Sequence, residues 1–133
     1  MSNKIFNTEI KYANKKIKTS TAEVLKNHLK ELMIEEKLYR NPSLKLFEVA
    51  VKLNITTHQF SQLLNDNIGK SFSTFVNEYR IEESKKILKS NTKYSLDAIG
   101  LESGFNSKTT FYKEFKKIVG TTPLKYKERF KST

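Results

Sequence analysis

At 133 residues the chain is long enough for a compact body that buries about two-thirds of its unfolded surface. Its 25 Lys and Arg against 14 Asp and Glu leave a net charge of +11, which favours a polyanionic partner over a basic one. The absence of cysteine excludes a disulfide framework and a thiolate zinc site, and the lack of a long apolar run or signal-peptide core makes a cytoplasmic location the expectation.

Residues 1–19 are polar and without periodicity, as in a flexible basic tail or the end of a linker, and five Lys with one acid fall within residues 1–20. The abrupt start suggests a piece of a longer protein. Order is expected from Ser20, where Ser20-x-x-Glu23 has the form of a capping box. Behind it Val24, Leu25, Leu29, Leu32 and Met33 recur at helical spacing, predicting a helix to about Tyr39 before Asn41-Pro42 stops it.

From Leu44, the stripe Leu46, Val49, Ala50 and Leu53 predicts a short helix, with Asn54 in the left-handed position that ends it. Thr56-x-x-Gln59 is a second capping box and opens a helix with Phe60, Leu63 and Leu64 inward, closed by Gly69. Ser71 then caps a helix of about 20 residues whose inner side carries Phe72, Phe75, Val76, Tyr79, Ile87 and Leu88. Ser95 caps the next, containing Leu96, Ile99 and Gly100, and Gly104 makes the turn. Ser107 starts a helix with Phe111, Phe115, Ile118 and Val119 inward; after Gly120, Thr122-Pro123 opens a last short helix through Tyr126 and Phe130. No segment alternates with period two for long. The expected class is all-α with seven helices.

The pattern repeats. Leu46, Val49, Ala50 and Ile55 match Leu96, Ile99, Gly100 and Phe105 at an offset of 50; Phe60, Leu64, Gly69 and Phe75 match Phe111, Phe115, Gly120 and Tyr126 at an offset of 51. One residue is gained where a new helix begins. Each copy reads as helix, sharp turn, helix and glycine stop, the form of a helix-turn-helix unit. The organisation expected is residues 20–70 as a first helix-turn-helix subdomain, 71–90 as a linking helix and 91–133 as a second.

Two such units in a basic chain point to duplex DNA, since the second helix of each can lay its N-terminal half in a major groove. A linking helix of about 20 residues is a strut near 30 Å, close to the roughly 34 Å between successive major grooves on one face of B-DNA, so one chain could address adjacent grooves. With Phe60, Leu63 and Leu64 inward, His58, Gln59, Ser61 and Gln62 are expected to face outward as base contacts. With Phe111 and Phe115 inward, Lys108, Thr109, Tyr112 and Lys113 face outward in the second unit. Gln can pair with adenine, Lys can donate to guanine, and Thr or Tyr can touch a thymine methyl. Lys116 and Lys117, Lys70 and Lys125 beside the glycine stops, and Thr56 and Ser107 at the helix starts suit the phosphate backbone.

Enzymatic chemistry finds little support. His28 and His58 stand apart, without a cysteine or acidic cluster to make a metal site, and no cofactor is expected. Gly69-Lys70-Ser71 copies the tail of a phosphate-binding loop, but Leu64 stands where its first glycine belongs. The competing reading is a helical protein-interaction module, although solenoids generally stack three or more repeats and this chain has two.

The stretch Ile99-Gly100-x-x-x-Gly104-Phe105-x-Ser107-x-x-x-Phe111-x-x-x-Phe115-Lys116-x-x-x-Gly120-x-Thr122-Pro123-x-x-Tyr126 closely resembles the signature of the AraC/XylS family of bacterial transcription regulators, and the likeness covers about residues 22–131. The resemblance implies a DNA-binding domain of two helix-turn-helix units joined by a long helix, usually the C-terminal output of a longer regulator. Carried over by position, it assigns base reading to His58, Ser61 and Gln62, and to Lys108, Thr109, Tyr112 and Lys113. It also matches Arg80 to a family arginine that can approach the DNA backbone. The expected partners are double-stranded DNA and RNA polymerase, with no small-molecule ligand in this domain. The domain by itself is expected to be monomeric, with any dimerisation supplied by other regions. The words NEYRIEESKKIL look similar to members in which this domain follows a membrane-bound or two-component sensor. Gly100 departs from the family's usual alanine, Ser84 replaces another common alanine, and residues 56–67 carry no Arg or Lys.

Overall fold

The computed structural model describes residues 19–90 and 93–131, so the expected N-terminal tail lies outside the described residues apart from Thr19. Among the described residues there are seven α-helices and no strand. They are α1 (Thr19–Ile34), α2 (Leu46–Lys52), α3 (Thr57–Gln62), α4 (Phe72–Lys89), α5 (Leu96–Glu102), α6 (Lys108–Val119) and α7 (Pro123–Glu128). A 3-10 turn (Leu38–Arg40) follows α1, and α3 runs on into a π-helical stretch (Leu63–Ile68). None of these helices is long and apolar enough to cross a membrane.

The chain divides into two compact units. Among the described residues, the first takes those up to Glu36 and then Leu44–Phe72; the second takes Lys37–Ser43 and those from Ser73 onward. Two features differ from the sequence expectation. The linking helix belongs almost wholly to the second unit, and so does the short segment between α1 and α2.

In the first unit, α1 buries Ala22, Leu29, Leu32 and Met33, while Val24 is exposed. The expected capping box is not made, because Ser20 lies inside the helix and Glu23 pairs with Lys26 Nζ at 3.2 Å. The helix stops five residues short of Tyr39, since Lys37 adopts a left-handed φ of 52° that no α-helix can contain. Helix α2 begins with the Lys45 amide donating to Glu48 Oε1 at 2.7 Å and buries Val49 and Ala50. Helix α3 and its π-helical extension bury Phe60, Leu63 and Leu64, and the Phe60 ring meets Phe72 edge-on at 6.0 Å. Gly69 ends the extension at φ 78°.

The second unit is built on Ile81, Leu88, Ile99, Phe105, Phe111, Phe115 and Tyr126, all but Tyr126 at 1% exposure or less. The rings of Phe105, Phe111, Phe115 and Tyr126 form a chain of contacts with centroids 5.4–5.8 Å apart. Aromatic pairs at this spacing add roughly 0.5–1.5 kcal/mol each beyond their burial. Buried Ser84 fits beside this core because its hydroxyl donates to the Ile81 carbonyl at 2.7 Å, so no polar group is stranded. Ile81, outside the inner face read from the sequence, is fully buried.

The internal repeat holds at the level of single backbone bonds. In the first unit Asn54 N donates to Val51 O and Ile55 N to Ala50 O; in the second Gly104 N donates to Leu101 O and Phe105 N to Gly100 O, all at 3.0–3.1 Å. Each is the pair of hydrogen bonds that closes a helix through one left-handed residue, here Asn54 at φ 63° and Gly104 at φ 109°. The residue gained in the second unit is located by the caps. Thr56 starts α3 two positions after Asn54, whereas Ser107 starts α6 three positions after Gly104.

Candidate nucleic-acid interface

Each candidate reading helix starts on a side-chain cap and exposes its first two residues, Thr57 and His58 on α3 and Lys108 and Thr109 on α6. Thr56 Oγ1 accepts from the Gln59 amide at 3.0 Å, and Ser107 Oγ accepts from the Thr110 amide at 3.1 Å. Ser107 Oγ also lies 3.0 Å from Thr110 Oγ1, which ties the start of α6 together.

On α3, His58 is exposed and Ser61 and Gln62 are half-buried. Gln59 is the exception and requires a correction. It is buried, at 8% exposure, and its Oε1 accepts from the Thr56 amide at 2.9 Å. The capping box bends this side chain back over the helix start, so it does not face outward. The motif that marks the helix start also removes Gln59 from the readable face.

On α6, Lys108, Thr109 and Lys113 are exposed, and Tyr112 is half-buried. The Tyr112 ring rests on Phe111 at 5.4 Å between centroids, and its hydroxyl donates to Asp97 Oδ1 of α5 at 2.7 Å. Burial and the Asp97 carboxylate both raise the ionisation point of this phenol, so it stays protonated across the neutral range. Sequence reading missed Asp97. The two residues are 15 apart and belong to different helices, so no periodicity signals the pair.

Lys116 and Lys117 are exposed at the end of α6, Lys125 is exposed on α7, and Lys70 is exposed after α3. Tyr112, Lys113, Lys116, Lys117, Thr122 and Pro123 line one open depression. Three of its six lining residues are lysines, which gives it the charge that phosphates require.

Arg80 is engaged within the protein. Its Nε donates to the Tyr39 carbonyl at 2.7 Å, Nη2 to the Asn41 carbonyl at 2.9 Å and Nη1 to Asn77 Oδ1 at 3.1 Å. Every nitrogen of the guanidinium therefore has a partner within the protein, and the group also lies 5.7 Å over the Phe105 ring. Arg80 is a brace that holds the segment Lys37–Ser43 through the Tyr39 and Asn41 carbonyls. Around it, Tyr39 Oη donates to Glu83 Oε1 at 2.7 Å and Arg40 Nη2 donates to Glu83 Oε2 at 2.6 Å.

Two helix-turn-helix units, each offering polar side chains at the start of its second helix, define a DNA-binding domain of the double helix-turn-helix class. The sequence profile described as "Helix-turn-helix domain" matches residues 49–129. The chain belongs to the AraC/XylS family of DNA-binding transcription regulators. It is similar to the probable transcription factor PqrA of Proteus vulgaris, with 33% identity over 95 residues, 71% of this chain and 77% of that protein. Other regulators that it matches are far longer, and it spans only 11–12% of their length. The fold is similar to the C-terminal domain of AraT, a response regulator from Geobacillus stearothermophilus, with a TM-score of 0.69, 23% identity and coverage of 83% of this chain and 88% of that one. It is also similar to an AraC-type transcriptional regulator from Chromobacterium violaceum, with a TM-score of 0.71, 19% identity and coverage of 84% and 96%. These matches favour the DNA-binding reading over an interaction module.

Proposed function

We propose that α3 and α6 are the two reading helices and that they enter adjacent major grooves of one DNA duplex, as the cytoplasmic output domain of a longer bacterial regulator. His58, Ser61 and Gln62 contact bases from α3, and Lys108, Thr109, Tyr112 and Lys113 from α6. Thr56, Ser107, Lys70, Lys116, Lys117 and Lys125 lie along the phosphates and fix register. The observation that carries the reading is the presence of exposed polar side chains at the capped start of each second helix, His58 on α3 and Lys108 and Thr109 on α6. In this reading the domain acts as a monomer, and RNA polymerase is the second macromolecule it meets.

Salt-dependent binding to labelled duplexes tests the proposal. Each phosphate neutralised contributes a slope of about −0.9 in log affinity against log salt, so the four phosphate-directed lysines, Lys70, Lys116, Lys117 and Lys125, predict a slope of about −3.6. A duplex selected from a random pool should bind at least about a thousandfold more tightly than random sequence. Selected sites that carry only one short recognition element, rather than two separated by about 10 base pairs, would overturn the two-groove arrangement.

A further inference from the structure

We propose that Asp97 is a specificity-determining positioning residue. By occupying the Tyr112 proton, it makes the phenol a hydrogen-bond acceptor toward DNA and directs it to a base that presents an amino group in the major groove, adenine through N6 or cytosine through N4. The inference rests on the reading of α6 as a recognition helix and names the chemistry of one of its contacts.

A tyrosine hydroxyl has one proton and can also accept. With its proton given to Asp97 Oδ1 at 2.7 Å, the Tyr112 oxygen keeps only lone pairs for another partner. The bond is charge-assisted, and the phenol stays protonated because both burial and Asp97 oppose its ionisation. Guanine O6 and N7, thymine O4 and phosphate oxygens are all acceptors and cannot pair with an oxygen in this state. The amino groups of adenine and cytosine can. The ring has little freedom to seek another orientation, since Phe111 supports one side and Asp97 fixes the tip.

The first unit cannot build this device. At the matching offsets, Phe47 stands where Asp97 does and Ser61 where Tyr112 does, so neither the carboxylate nor the phenol is present. Asp97 is itself exposed on the first turn of α5, and its carboxylate places a negative charge beside the reading helix. That charge lowers affinity for any duplex, and the hydrogen bond to Tyr112 gives it a role beyond its favourable place at the N-terminus of α5.

The test is selection of duplexes from a random pool by the full chain, followed by competition among the four bases at the position affected. The wild-type protein should prefer adenine or cytosine there. Tyr112→Phe should abolish that preference, by about three- to tenfold, the range expected for one hydrogen bond. Asp97→Ala should free the hydroxyl to donate and extend tolerance to guanine or thymine at the same position. Asp97→Asn keeps an acceptor oxygen and should retain the wild-type preference while raising affinity for all sequences. A base preference unchanged in Asp97→Ala, with only a uniform rise in affinity, overturns the inference and leaves α6 as the reading helix intact. Loss of all sequence preference in the wild-type protein would instead overturn the reading on which the inference rests. Helix content measured for each variant identifies any that fails to fold, and Tyr112→Phe then decides: an adenine or cytosine preference unchanged in that variant refutes the role, because no phenol oxygen is left to accept.

Discussion

Gly100 shows how one missing methyl group can be set by the residue opposite. A Cβ at this position would lie 2.6 Å from Cδ2 and 2.7 Å from Cγ of Phe111, well inside contact distance and against the stem of a fully buried ring. Ala50, the matching residue of the first unit, is accommodated at 1% exposure. The departure from alanine, which intrinsic helix propensity alone scores as a loss, is therefore a packing requirement of the second unit. Gly100→Ala should destabilise the protein by about 1–3 kcal/mol in chemical denaturation, as overpacking does elsewhere. An unchanged or higher midpoint would show that Phe111 can move aside.

Glu83 sets a second expectation at the residue scale. Burial pushes its carboxyl upward, but the Tyr39 hydroxyl and the Arg40 guanidinium outweigh burial and hold it below the ordinary carboxylate range. A depressed folded value means stabilisation that is present above the unfolded value, about 4.3, and lost as pH falls through the folded one. Glu83→Gln should therefore lower stability at pH 7, with the difference from wild type shrinking in acid below about pH 4. Tyr39 acts in the opposite sense. Burial and Glu83 raise it from 10.0 to about 12, so its share persists below pH 10 and disappears as pH rises toward 12. Thermal melts across pH for both Glu83→Gln and Tyr39→Phe check the two limbs.

Among the elements, α6 carries the clearest division of labour. Lys113 lies in its first half with Lys108 and Thr109, while Lys116 and Lys117 lie in its last turn beside α7. Lys113→Ala should cost about 1–3 kcal/mol on the selected duplex and relax preference at one position. Lys116→Ala should weaken specific and random duplexes alike and reduce the salt slope by about 1. Equal behaviour of the two variants in competition binding would contradict the assignment. The caps of this helix were legible because Ser107 and Gly120 each have a local chemical reason to stand where they do. The π-helical stretch after α3 was not. Leu63 and Leu64 keep the same inward sense in either winding, so the apolar pattern does not distinguish a wider coil from a regular one.

For the molecule as a whole, local signals located almost every helix, and long-range partners decided the remainder. The segment after Ile34 illustrates the limit. Leu38 and Tyr39 fit a continued helix by spacing, yet the chain turns at Lys37 and Tyr39 bonds to Glu83, 44 residues away. No pattern within α1 contains that information. The bracing role of Arg80 was hidden for the same reason, since position along α4 does not reveal that two carbonyls, of Tyr39 and Asn41, wait for its guanidinium. Gln59 is different. Its role as third residue of a capping box was visible in the sequence and already precluded an outward orientation.

The path of the chain through its two units has a consequence for how the protein can be divided. Because Lys37–Ser43 belongs with the residues from Ser73 onward, a fragment beginning at Ser73 lacks Tyr39 and Arg40 as well as two of the three acceptors of Arg80. It should show weaker helical circular dichroism and a broader melt than the same unit within the full chain. A fragment with a cooperative melt at the full-length midpoint would refute this. On the ribosome the strap emerges well before the body it completes, so it must wait for Arg80 and Glu83 to be synthesised. No single proteolytic nick can release both halves intact.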